Sequence, residues 1–219
     1  MSSSVEGRSA RPSSSFWHWV IDPTTERGPL LPIEALRAAL GVFFLLAFYG
    51  LAAGFFQGDR QLLVSALKFP LVVTASLLLC IPSLFVFAVL AGAQLTVRSY
   101  LTAVLGFAGR LGLIAAALTP VVWLFSVSTR YLFIAIWMHV LHWIFALGLA
   151  RRAFGSPSLA WKGGRAAVSL WLVLLFFVSL QVATVSRPLL IRGEHDALFE
   201  TEKVFFLEHF GRVAGKEAP

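Results

Sequence analysis

Residues 69–92 read FPLVVTASLLLCIPSLFVFAVLAG, the larger part of a 29-residue run between Lys68 and Arg98 that carries no formal charge. The run is too long and too apolar for one core helix of a small soluble domain. It exceeds the roughly 20 residues that cross a bilayer core about 30 Å thick. It predicts a membrane-spanning helix. Pro82 stands near its middle. Proline cannot donate to the carbonyl of Leu78 and crowds that turn, so a kink is expected there and neighbouring segments must pack around it.

The rest of the chain supports the same solvent. Of 219 residues, 58% are hydrophobic, with 20 Phe and 7 Trp, and the mean hydropathy is +0.81. One soluble core of this size does not hide so much apolar surface, whereas lipid accepts it. The lone cysteine, Cys80, excludes a disulfide within the chain and a cysteine-based zinc site.

Charge is distributed unevenly. From residue 60 to residue 193 there is no Asp or Glu, while the same interval holds eleven Lys and Arg. Intramembrane carboxylates are the usual parts of proton relays and cation-coupled transport, and paired carboxylates serve hydrolysis. Those mechanisms lose their commonest residues here. A basic body instead suits anionic lipid headgroups. The cations are scattered singly at span ends, with no basic helix or recognised nucleic-acid module, so no nucleic-acid partner is expected.

Charges and turn residues divide the chain into three regions. Residues 1–35 form a polar N-terminal tail, Ser-rich at first and then aromatic at Phe16, Trp17 and Trp19, a run that fits either the headgroup belt or a short plug packed under the bundle. Residues 36–187 form an all-α polytopic bundle of five transmembrane helices, with spans at about 38–58, 69–92, 106–127, 131–150 and 166–186. Residues 188–219 form a C-terminal tail in which Leu198, Phe199, Phe206, Phe210 and Val213 mark one face of a short amphipathic helix. Such a helix lies on the membrane, caps the bundle or binds a partner.

Residues 99–109 (SYLTAVLGFAG) fall between Arg98 and Arg110, either as an interfacial helix or as the early turns of a long third span. Continuity with the third span is favoured. There, Ala108, Gly112 and Ala116 recur four apart, a spacing that lets helix backbones approach closely in lipid. Pro120 is expected to bend or break this span near its far end. The third and fourth spans form a tight hairpin with Arg130 at its tip. The connection from the fourth to the fifth carries Arg151, Arg152, Lys162 and Arg165, a set placed to touch anionic headgroups.

Orientation follows from the cations. With a cytoplasmic N-terminus, Arg8, Arg11, Arg27, Arg37, Arg98, Arg110 and the four cations of that connection lie inside, against Arg60, Lys68 and Arg130 outside. A multi-pass protein of the inner (plasma) membrane is expected, with its C-terminus on the periplasmic side.

Few residues suggest chemistry. His139 and His142 lie three apart on the fourth span and share a face. Imidazoles in a span are able to ligate haem, chlorophyll or a metal. The reading favoured here is interhelical hydrogen bonding, because no other histidine lies in a span to complete a site, and no cofactor or metal is expected. No GxSxG, HExxH or phosphate loop occurs, and Ser126, Ser128 and Thr129 have only Arg130 beside them, so no catalytic residues are assigned. Gln181, a lone amide in the fifth span, either joins helices or lines a path.

A resemblance accompanies this pattern. Lys68-Phe-Pro-Leu71, Cys80-Ile-Pro-Ser-Leu-Phe-Val-Phe87, Thr119-Pro120, Phe125-Ser-Val-Ser128 and Arg187-Pro188 are similar to segments of bacterial five-span proteins of the Yip1-like superfamily. The DLYGP segment of eukaryotic Yip1 proteins is not matched by Ile21-Asp-Pro-Thr-Thr25. The resemblance implies a non-enzymatic membrane protein that organises lipids or partner proteins, and it transfers no site residues. The expected function is therefore a scaffold or accessory subunit that contacts the bilayer, anionic lipids and other membrane proteins or a second copy of itself. A small-solute transport subunit and a cofactor-binding electron-transfer subunit are the alternatives.

Overall fold

The computed structural model describes residues 16–21, 30–56, 60–93, 96–155 and 164–186. The C-terminal amphipathic helix, the first fifteen residues, Gln94 and Lys162 lie outside the described residues. A six-residue helix, α1 (Phe16–Ile21), precedes five long ones: α2 (Pro32–Gly54), α3 (Arg60–Leu90), α4 (Val97–Ser128), α5 (Leu132–Ala150) and α6 (Gly164–Val185). A 3-10 turn, Arg151–Gly155, extends α5. Each of the five is long and apolar enough to cross a bilayer. The protein is an all-α, multi-pass membrane bundle.

Local chemistry sets where the helices begin and stop. Pro32 occupies the first turn of α2, where a missing N–H costs nothing. The Glu34 carboxylate accepts the Leu31 N–H at 3.2 Å, placing an anion at the positive end of the helix. α3 ends two residues short of the expected boundary. Gly92 takes φ 80°, and the Ala93 N–H reaches the Ala88 carbonyl at 3.0 Å while Gly92 N–H reaches Val89 at 2.9 Å. That pairing is a Schellman closure, which requires a left-handed residue that glycine adopts without strain. α4 opens on Thr96, whose hydroxyl accepts the Ser99 N–H at 3.2 Å.

Two boundaries depart from the sequence reading. α3 starts at Arg60 rather than near residue 69, because Pro70 is tolerated inside the helix instead of opening it. α4 starts at Val97 rather than near 106, so residues 99–109 belong to the third span. At 32 residues and a 1.5 Å rise, α4 is about 48 Å long, well beyond the bilayer core. Helical assignment also continues through Pro82 and Pro120 without a break.

The helices close a ring. α2 packs between α3 and α4, α6 packs on α3, α5 packs on α4, and α5 and α6 touch more lightly. Phe107, Trp171, Leu84, Leu46 and Leu111 are fully buried at its centre. Phe107, Phe154 and Trp171 form a ring cluster with centroids 5.3–5.8 Å apart, joining α4, the 3-10 turn and α6. Large apolar side chains such as Phe44, Leu63, Leu79 and Leu90 point outward instead, as a lipid solvent permits.

Gly50 is the tightest point of the α2–α3 contact. A Cβ there would lie 2.5 Å from the Ser65 carbonyl oxygen and 2.7 Å from Phe69 Cβ. The first neighbour is backbone and cannot swing away. Gly50→Leu is therefore expected to cost about 3 kcal/mol through overpacking. Gly148→Leu, at a glycine with nothing within 4 Å, is expected to leave the melting temperature in detergent nearly unchanged. Equal melting temperatures for the two variants would refute this account of the α2–α3 contact.

Candidate functional site

The polar groups of the body gather at two places. The first is the turn around Pro82. That proline leaves the Leu78 carbonyl without its usual donor, and the next carbonyls along the turn are used by other helices. Trp171 Nε1–H of α6 donates to the Cys80 carbonyl at 2.8 Å. The same oxygen accepts the Ser83 hydroxyl at 2.8 Å. Tyr100 OH of α4 donates to the Ile81 carbonyl, and its ring meets Phe85 with centroids 5.4 Å apart. Three helices therefore meet through two backbone oxygens. The ring of Pro82 itself is exposed.

The second place is an aromatic cluster where α2, α3 and α5 meet. Tyr49 OH and His139 Nδ1 are 3.0 Å apart. The Tyr49 ring lies 4.6 Å from Phe69 and 5.9 Å from His139, and Phe69 lies 6.0 Å from Trp143. His139 Nε2 and Trp143 Nε1, one helical turn apart on α5, are buried with no hydrogen-bond partner among the described residues. His142 turns back on its own helix, its Nδ1 2.7 Å from the Met138 carbonyl, so Nδ1 carries the proton. The two histidines expected to share a face thus face different partners. Among the described residues no three His, Cys, Asp or Glu side chains are close enough to share a metal ion.

Lys68 was expected at a span end but is buried. Its Nζ lies 3.2 Å from the Ser186 carbonyl just beyond α6, where a helix end presents partial negative charge. The small-residue face of α4 points to α2: a Cβ at Gly112 would touch Leu45 and Val42 at 3.4–3.7 Å. Ala108 is buried and Ala116 half-buried. Arg151, Arg152 and Arg165 are exposed, available to headgroups.

The aromatic run at residues 16–20, on sequence grounds either a headgroup belt or a short plug packed under the bundle, is packed as α1, with Phe16 and Val20 buried. Phe16 and Val20 cover Gly109, 3.1–3.2 Å from where its Cβ would stand. Arg110 Nε donates to the Val20 carbonyl at 2.7 Å, and Arg98 holds the Leu30 carbonyl through Nε and Nη2 at 3.3 and 3.2 Å. What the sequence left unassigned was the role of Arg98 and Arg110 as the ties to these carbonyls. Comparison with protein-family models, curated proteins and solved structures returned no match.

The Trp171 hydrogen bond and the Trp171 ring separate experimentally. Trp171→Phe keeps most of the packing and is expected to cost about 1 kcal/mol from the lost donor. Trp171→Ala also opens a cavity and is expected to cost about 4 kcal/mol. Denaturant titration in micelles checks both: a Phe variant as stable as the parent would show that the ring alone matters, and one as unstable as the Ala variant that packing of the ring adds nothing to the hydrogen bond.

Proposed function

We propose that this protein is a non-catalytic membrane scaffold or accessory subunit that organises lipids and partner proteins. The observation that supports this most is how its intramembrane polar groups are spent. Trp171, Tyr100, Tyr49 and Lys68 tie one helix to another. Ser76, Ser179, Thr119 and Thr184 bond carbonyls of their own helices one turn back. Such a body is built to hold a shape and present apolar sides to lipid. The similarity to Yip1-like five-span proteins points the same way, and on the positive-inside rule the N-terminal end of α2 faces the cytoplasm of a cell bounded by the inner membrane.

A second reading, a cofactor-binding electron-transfer subunit, is favoured by one observation: His139 Nε2 and Trp143 Nε1, one turn apart on α5, are buried with no hydrogen-bond partner among the described residues. Mild-detergent purification of the full chain tests both. The scaffold reading expects a colourless preparation that carries a defined membrane partner, and His139→Ala with His142→Ala to lower stability without changing that partner. A chromophore lost in the double variant would favour the second reading. Solute flux in liposomes that depends on Gln181 would sink the scaffold reading in favour of a transport subunit.

A further inference from the structure

We propose that an open groove between α1, α2 and α4 is a binding site for one anionic glycerophospholipid, its chain in the groove and its phosphate on Arg37. The proposal deepens the lipid-organising half of the reading above.

The groove, of about 390 Å³, is lined by Trp17, Gly41, Phe44, Leu45, Phe48 and Leu113. It exists because Gly41 has no side chain. The Trp17 indole lies on that glycine, with Cζ2, Cη2 and Cε2 occupying the space a Cβ would need. Trp17 therefore forms a wall and Gly41 the floor, while Leu113 closes the side contributed by α4. Arg110, one turn before Leu113, holds α1 in place through the Val20 carbonyl.

Arg37, Gly41, Phe44, Leu45 and Phe48 follow the spacing of a single helix face. Their depths match the parts of a lipid. Arg37 is exposed and makes no hydrogen bond or ion pair among the described residues. About 6 Å deeper, one turn along α2, the six-membered ring of the Trp17 indole lies over Gly41, with Cε2, the atom bonded to Nε1, 3.4 Å from where a Cβ would stand. That N–H also makes no hydrogen bond among the described residues, and a lipid whose phosphate sits on Arg37 would present its ester carbonyls about one turn further along α2. Below it the groove is lined by the apolar side chains of Phe44, Leu45, Phe48 and Leu113 and runs about 10 Å from Gly41 to Phe48.

A cation, then a donor, then an apolar channel is the order of phosphate, ester and acyl chain. An indole suits the middle position because it has one apolar face and one polar edge. The positive charge selects an anionic headgroup over a zwitterionic one.

The test is native mass spectrometry of the full-length protein in mild detergent with added phosphatidylglycerol or phosphatidylcholine. One phosphatidylglycerol per chain is expected to survive at collision energies that strip phosphatidylcholine. Arg37→Gln should lower the bound fraction about fivefold, with the melting temperature unchanged because Arg37 bonds none of the described residues. Trp17→Phe should lower retention as well, whereas Arg165→Gln should not. Glycerol phosphate, which has no chain, should fail to displace the lipid. Equal retention of both lipids, unchanged binding by Arg37→Gln, displacement by glycerol phosphate, or a lipid-free dimer would each overturn the site. Partner co-purification with no retained lipid would remove this site and leave the scaffold standing. Retained lipid with no partner would do the reverse.

Discussion

The hydrogen bond from Trp171 Nε1 to the Cys80 carbonyl meets the strictest demand of the bilayer: backbone polar groups must find partners inside the protein. Pro82 loosens α3 in the middle of the membrane, where no water repairs the loss. The turn is used as an attachment point instead. α6 supplies an indole to one carbonyl and α4 a phenol to the next. The same indole ring packs against Phe107 and Phe154, so the polar tie and the aromatic core depend on one side chain. Moving α6 would break both together.

Association in lipid gains little from the hydrophobic effect, so close packing must supply most of the attraction. Glycine is used on both sides of α2 for that purpose. Gly50 of α2 lets the α3 backbone approach, and Gly112 of α4 receives Leu45 and Val42 of α2. The contact is reciprocal in kind: α2 offers the gap to one neighbour and fills the gap of the other. This makes α2 the middle of the assembly even though its outer face, with Phe44 and Phe48, is among the most exposed.

Span number was legible in the sequence because it depends on length and hydropathy, which are properties of each segment alone, whereas the starts of α3 and α4 lie nine residues before the expected ones. What lay beyond reach was which face met which neighbour. The α3 face at Pro82 was visible as a weak turn, yet nothing in residues 78–82 names a tryptophan 91 positions away. His139 and His142 were correctly placed on one helix, but their separate partners, Tyr49 and the Met138 carbonyl, depend on ring orientation. Lys68 reads as a boundary charge in the sequence, because burial of a lysine requires a partner, and the carbonyl it reaches lies 118 positions along the chain. Long-range pairing of apolar helices leaves no periodic trace, since lipid and protein neighbours ask for the same residue types.

The glycine-rich stretch of α4 carries a further consequence of this sorting. Ala108, Gly112 and Ala116 recur every four residues and suggested a single partner. Gly109 lies about a quarter turn away around the helix and belongs to a different neighbour, α1, through Phe16 and Val20. Arg110 then becomes intelligible. A six-residue helix has almost no internal hydrogen bonding for its last carbonyls, and the guanidinium takes the Val20 carbonyl at 2.7 Å. An arginine that looked like an interruption of the third span is the charge that fastens α1 to it, and the depth at which it does so places Trp17 over Gly41.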